Sequence, residues 1–160
     1  MFLWILSAWV KNKFPDVDNI TTDELSEKVK HNNNLLVVDN RQQQEYNVSF
    51  INGAKLLEFP LTENVLTEFV EKNVSDETEE IICYCSVGYR SSVVAGQLGA
   101  ILAEKKKDDV KVYNLEGSMF KWVNEDRPVT NVKSETVCYA HPYSYMWGML
   151  GLNIWKWRWS

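Results

Sequence analysis

Residues 81–107 read IICYCSVGYRSSVVAGQLGAILAEKKK. The run IICYC is continuously apolar, the pattern of a short strand buried on both faces of a sheet. From Ser91 onward the residues suit a helix, and Lys105, Lys106 and Lys107 stand at its negative end. Between them lie Ser86, Val87, Gly88, Tyr89 and Arg90. A strand that passes through a short loop into a helix is half of a parallel crossover unit. The loop itself admits two readings, a plain turn or a small cup built around the thiol of Cys85.

The flanking sequence repeats the same alternation. Thr21 or Thr22 can cap a helix over TDELSEKVK, with Glu24 or Glu27 in its early turns. LLVVD at 35–39 reads as a second fully buried strand, RQQQEYNV as a helical turn or two, and NGAKLL as a short strand after Gly53. Residues 63–72 form a helix with Val65, Leu66, Phe69 and Val70 inward, and SDETEE is a solvated loop. VKVYNL at 110–115 is a further strand and residues 117–124 a last helix carrying Phe120 and Trp122. Strands alternating with helices predict an α/β fold, with a mainly parallel central sheet and helices on both faces. In the helix that follows the loop, Ala95, Gly96, Gly99, Ala100 and Ala103 are expected to let the backbone lie close on the sheet.

A hydrophobic fraction of 45% and a charged fraction of 24% are those of an ordinary globular chain, and 160 residues suffice for one domain with its own core. A formal net charge of −5 provides no global basic field for nucleic acid, so no nucleic-acid partner is expected. Cys83, Cys85 and Cys138 do not form a metal-ligand spacing, so no metal is expected. Three cysteines fit free thiols in a reducing compartment, which points to the cytoplasm. The division read from the sequence is an apolar extension over 1–19, a domain over 20–130 and a Trp-rich tail over 131–160.

Ligand sites in parallel sheets lie at the carboxyl ends of the strands, where Cys85 and Asp39 both sit. Backbone N–H groups converge at a helix start and bind anions. Gly88 permits a positive φ, so that the loop can curl and turn its amides inward. Arg90 adds a fixed cation. Together these favour a thiolate at Cys85, and a lowered pKa makes a thiol nucleophilic near neutral pH. Ser91 or Ser92 can cap the helix or lend a hydroxyl to the cup. Cys83, two residues back on the strand, reads as core, and a resolving role for Cys138 stays open. His31 and His141 read as non-catalytic.

Four ordered motifs add a resemblance. VVDNRQQQEYNVSFINGAKLL at 37–57, YCSVGYRSSVVAGQL at 84–98 and VYNLEGSMFKWV at 112–123 contain Asp39, Arg41, Glu45 and Tyr46, then Ile51, Gly53 and Ala54, then Cys85, Gly88, Arg90 and Ser91, then Leu115, Gly117 and Trp122. In this the chain resembles a single-domain rhodanese, a sulfurtransferase family. The resemblance implies a rhodanese-like fold and transfer of a sulfane sulfur from a donor such as thiosulfate to a thiol or cyanide. The intermediate would be a persulfide on Cys85, with no other cofactor. It further implies that Cys85 and Arg90 are catalytic and that Ser86, Val87, Gly88, Tyr89, Ser91 and Arg41 contact the substrate. Asp39 and Glu45 would support the site, with Asp39 and Arg41 an ion pair at the pocket rim. Two positions depart from the family: Phe50 stands where many members have a histidine, and Ser118 where a second glycine often follows Gly117. A binding or persulfide-carrying module of the same fold, and a cysteine phosphatase or arsenate reductase, are the alternatives.

The ends of the chain are aromatic. MFLWILSAWV is about half the length of a bilayer span and is expected to pack on the domain. HPYSYMWGMLGLNIWKWRWS alternates Trp155, Trp157 and Trp159 with Lys156 and Arg158. That pattern fits a segment packed on the domain beside Trp4 and Trp9, and it leaves open a weak contact with a membrane interface. Oligomeric state is not legible in the residues.

Overall fold

The computed structural model describes residues 2–31 and 34–160. Helix α1 spans Leu3–Lys13, strand β1 Asn19–Ile20, α2 Thr22–His31, β2 Leu35–Asp39, α3 Gln43–Val48 and β3 Lys55–Leu56. They are followed by α4 Glu63–Asn73, β4 Glu80–Tyr84, α5 Tyr89–Glu104, β5 Lys111–Leu115 and α6 Ser118–Asn124. The C-terminal segment adds β6 Val129–Thr130, β7 Thr136–Val137, α7 Tyr145–Gly151 and a 3-10 turn over Ile154–Lys156.

Five strands form one sheet in the order β1-β5-β4-β2-β3, and every pairing in it is parallel. The side-chain period of a strand sends successive residues to opposite faces. Leu36, Val38, Ile81 and Cys83 accordingly pack on one side, with Leu66 and Val70 of α4 and Val94, Leu98 and Leu102 of α5. Val37, Ile82, Tyr84 and Leu115 pack on the other, with Leu25 of α2 and Met119, Phe120 and Trp122 of α6. Helices cover both faces, as expected, and Cys83 is core.

Local signals account for several element ends. Thr21 caps α2 reciprocally: its hydroxyl accepts from the Glu24 amide, and the Glu24 carboxylate accepts from the Thr21 amide at 2.9 Å. Helix α5 starts at Tyr89 rather than Ser91, because Gly88 takes φ +106° and serves as its cap. The serines therefore lie within the helix, where the Ser92 hydroxyl donates to the Gly88 carbonyl at 2.7 Å.

Three expectations are corrected. Val65 is 44% exposed rather than inward, since only Leu66 and Val70 of α4, four residues apart, sit fully against the sheet. Of the small residues of α5 only Ala95 is buried on the sheet: Gly96, Ala100 and Ala103 are exposed and Gly99 is half-buried, and the face that packs is Val94, Ala95, Leu98, Ile101 and Leu102. The Asp39–Arg41 pair is not at a rim. Both side chains have zero exposure and lie beneath the carboxyl end of β2.

That buried pair is densely bonded. Asp39 accepts from Arg41 Nε at 2.9 Å, from Arg41 Nη2 at 2.6 Å and from the Tyr84 hydroxyl at 2.6 Å. Arg41 Nη2 also donates to the Ser49 carbonyl at 2.6 Å, and Tyr84 accepts from the Ile51 amide at 3.1 Å. The cluster ties the turn after β2 to the neighbouring strand β4. Burial works against the Arg41 charge, but Asp39, Tyr84 and Glu45 together outweigh it and hold the guanidinium above its ordinary value. Replacing Asp39 by Asn leaves that cation buried and uncompensated; the expected loss is about 3–5 kcal/mol of unfolding free energy, read from urea denaturation.

Candidate active site

Strand β4 ends at Tyr84, so Cys85 is the first residue of the loop, and the positive φ of Gly88 turns the chain back over it. The Gly88 amide donates to Cys85 Sγ at 3.2 Å. The loop is pinned from outside by α6: the amides of Met119 and Phe120 donate to the carbonyls of Cys85 and Ser86, both at 3.0 Å. The Ser118 hydroxyl accepts from the Cys85 amide at 3.2 Å and donates to the Leu115 carbonyl at 3.1 Å. Ser118, a departure from the family pattern, thus takes a direct part in holding the cysteine. It does so from φ +50°, the left-handed region that a glycine would occupy without strain.

Arg90, in the first turn of α5, is set by Glu45. The carboxylate receives Arg90 Nη1 at 2.8 Å, Arg90 Nη2 at 3.0 Å, the Ser86 hydroxyl at 2.9 Å and the Gln42 amide at 2.9 Å. Arg90 Nη2 donates as well to the Ser86 hydroxyl at 2.8 Å. Burial pushes the Glu45 carboxyl up, but Arg90, Arg41 and the Gln42 amide outweigh it and hold it below the usual range.

The thiol follows the same balance. Burial raises its pKa, while the charge of Arg90, the hydroxyl and amide of Ser91 and the Gly88 amide lower it, and the net shift is downward. Cys83, two residues earlier, has no such partners and is pushed up by burial alone apart from a small contribution from Cys85. Ser91 is fully buried, and its hydroxyl is shared between the sulfur and Asn114 Oδ1, which it meets at 2.7 Å. Asn114 is oriented in turn by Asn19 Oδ1 at 2.9 Å.

Cys85 is only 1% exposed, yet it borders an open cavity of about 370 Å³. Ser86, Val87, Tyr89 and Arg90 of the loop line it. Leu6, Trp9, Val10 and Lys13 of α1 and Tyr143 and Trp147 of the tail form the rest of the wall. Arg41, expected to touch substrate, is not on that wall: it is buried with Asp39 and bonds Asp39 and the Ser49 carbonyl. Phe50 stacks on Tyr46 with ring centres 4.2 Å apart, so this departure changes packing next to α3 and not the cavity. Cys138 is exposed and away from the cavity lining.

The model of the family described as the rhodanese-like domain matches residues 21–125. The chain belongs to the rhodanese-like domain family. Among solved structures, this rhodanese-like chain resembles the As-Sb reductase of Leishmania major at 15% identity and TM-score 0.61, over 76% of this chain and 92% of that one. It resembles the thiosulfate sulfurtransferase of Pseudomonas aeruginosa at 15% identity and TM-score 0.58, over 81% of this chain but 22% of that one. A third structure, the BH2092 protein of Bacillus halodurans, aligns at 23% identity and TM-score 0.54, over 78% of this chain and 84% of that one. At these identities the three share the fold. None of the curated proteins matches the chain. No helix among the described residues is long and apolar enough to cross a membrane.

Two outcomes follow from the charges. In a Cys138→Ser background, the alkylation rate of Cys85 against pH has its midpoint below that of free cysteine, and Arg90→Gln moves it up. Glu45 stabilises the fold fully above its ordinary value of 4.5 and loses that contribution as pH falls through its lower folded value. Urea midpoints of the wild type therefore fall more steeply on acidification below about 4.5 than those of Glu45→Gln.

Proposed function

We propose that the chain is a sulfurtransferase that moves a sulfane sulfur from an anionic donor such as thiosulfate to a thiol or cyanide, through a persulfide on Cys85. The observation that carries this reading is the sulfur of Cys85 facing an open cavity, with the Gly88 amide aimed at it and Arg90 held beside it by Glu45. In the first half-reaction the Cys85 thiolate attacks the outer sulfur of the donor. The donor's sulfur–sulfur bond breaks, its electron pair leaves with sulfite, and a new sulfur–sulfur bond forms at Cys85. The persulfide is anionic, and loop amides and the Arg90 guanidinium stabilise it as they stabilise the thiolate. In the second half-reaction the acceptor attacks the outer sulfur and Cys85 departs as thiolate, so the kinetics are ping-pong.

Loop length favours sulfur over phosphoryl chemistry. Four residues separate Cys85 from Arg90, one fewer than in the related phosphatase loops, and the tighter ring suits a sulfur atom better than a group with three oxygens. Against a purely non-catalytic module stands the lowered pKa of Cys85, which a structural thiol in the same burial, such as Cys83, lacks.

Intact mass after incubation with thiosulfate tests the reading. The wild type should become heavier by one sulfur atom and return to its starting mass on addition of cyanide, whereas Cys85→Ser should not change. An unmodified wild type that hydrolyses an aryl phosphate would overturn the proposal in favour of phosphatase chemistry. An unmodified wild type without hydrolysis would overturn it in favour of a binding module.

A further inference from the structure

The cavity over Cys85 is larger than an inorganic sulfur anion requires. Its volume of about 370 Å³ falls within the range of about 300–1,000 Å³ found for organic-ligand sites. Its outer walls also come from segments beyond residues 21–125 that the family model matches. Helix α1 contributes Leu6, Trp9 and Val10, and the tail contributes Tyr143 and Trp147. The charged side chains on the wall, Lys13 and Arg90, are both cationic. An apolar chamber with cations and a nucleophilic sulfur suits a ligand with one anionic end and an apolar body.

Both walls are held in position by contacts that serve the chamber. Trp9 stacks on Tyr89 of the active loop with ring centres 5.7 Å apart, and Phe14 meets that ring edge-on at 5.2 Å. Val10 is buried beneath them at 2% exposure. On the tail side, the Arg90 guanidinium lies 4.7 Å from the ring centre of Tyr143. Tyr143 adopts φ +64°, an unfavourable backbone conformation for a bulky residue. It is kept there by its amide, which donates to Nδ1 of buried His141 at 3.0 Å. Tyr143 is 43% exposed, so the strain does not serve burial of a core residue. Backbone strain that sets a ring over the loop cation belongs to a site.

We propose that α1 and the C-terminal tail form an aromatic vestibule that selects an organic sulfane-sulfur compound, with its anionic sulfur end at Cys85 and Arg90 and an aryl or alkyl body against Trp9, Trp147 and Leu6. This rests on the sulfurtransferase reading above and names the substrate class for that site. With an organic thiosulfonate, the Cys85 thiolate attacks the terminal sulfur and the sulfur–sulfur bond breaks. The electron pair leaves with the sulfinate carrying the organic group, and the persulfide remains on Cys85. No oxidant or reductant enters.

The probes are benzenethiosulfonate and methanethiosulfonate, which present the same sulfane group on a large and a small body. Single-turnover rate constants for persulfide formation on the full chain are each divided by that compound's rate with free cysteine. The normalised ratio should favour the aryl compound by roughly tenfold or more in the wild type, since even one methylene in an apolar pocket gives about tenfold discrimination. In Trp9→Ala and in Trp147→Ala the ratio should fall severalfold. Because it compares two substrates on the same folded molecules, the ratio is insensitive to a loss of folded protein. A wild-type ratio near unity, or a ratio that neither substitution changes, overturns the vestibule while leaving sulfur transfer intact. Absence of persulfide with both compounds while thiosulfate still loads Cys85 likewise overturns the vestibule, and absence with thiosulfate as well overturns sulfur transfer itself.

Discussion

The carboxylate of Glu45 accepts four hydrogen bonds, two from the Arg90 guanidinium and one each from the Ser86 hydroxyl and the Gln42 amide. Buried as it is, this charge would be costly without those partners, and with them it becomes the fixed point of the loop. Arg90 is long and carries several rotatable bonds; the bidentate contact selects one of its conformers and sets the cation beside Cys85. Ser86 bridges the same two groups. The electrostatics of the thiol are therefore built two steps away from it, in the capping turn of α3, where Glu45 also closes a capping box with Gln42.

Beneath this network lies a second one with a different task. Asp39, Arg41 and Tyr84 connect the ends of β2 and β4 through the interior, and Tyr84 is the residue immediately before Cys85. A movement of that tyrosine would shift Cys85 relative to the amides around it. The two acidic residues of the site, Asp39 and Glu45, thus divide the labour: one fixes where the strand ends, the other fixes the cation that faces it. From the far side, α6 clamps the loop through Ser118, Met119 and Phe120. A loop constrained from three directions can keep its amides convergent without a bound anion, which is what preorganised stabilisation of a thiolate needs.

The segments outside the matched family residues are continuous with this machinery. Tyr89 belongs to the loop, yet its ring is stacked by Trp9 and met edge-on by Phe14 from the N-terminal segment. Ala140 and Leu152 of the tail are buried in the same core that holds Phe120 and Trp122. Asn124 of α6 donates to the Gly151 carbonyl at 2.7 Å, and Lys156 donates to the Val123 carbonyl at 2.6 Å, so the tail is fastened to the helix that clamps the loop after β4. Trp4 and Trp155 remain 72% and 77% exposed, so the terminal aromatics are shared between the vestibule and the outer surface.

Sequence alone determined the features that depend on neighbours in the chain. The apolar runs 35–39 and 81–84 could bury themselves only as central strands, and the spacing of Cys85, Gly88 and Arg90 encoded a curled loop before a helix. The Thr21 and Glu24 pair likewise encoded a helix start. The two-residue strands β1, β6 and β7 carried no period to read, because their pairing partners supply their geometry. Which face of α5 meets the sheet was decided by the packing of Val94, Leu98 and Ile101, against the suggestion of its small residues. Tertiary structure alone buried Arg41, brought Ser118 to the Cys85 amide, and carried Trp9 and Tyr143 to one cavity. Those contacts join residues from 33 to more than 130 positions apart, or turn on burial that neighbouring residues do not specify, and a local pattern holds no record of them.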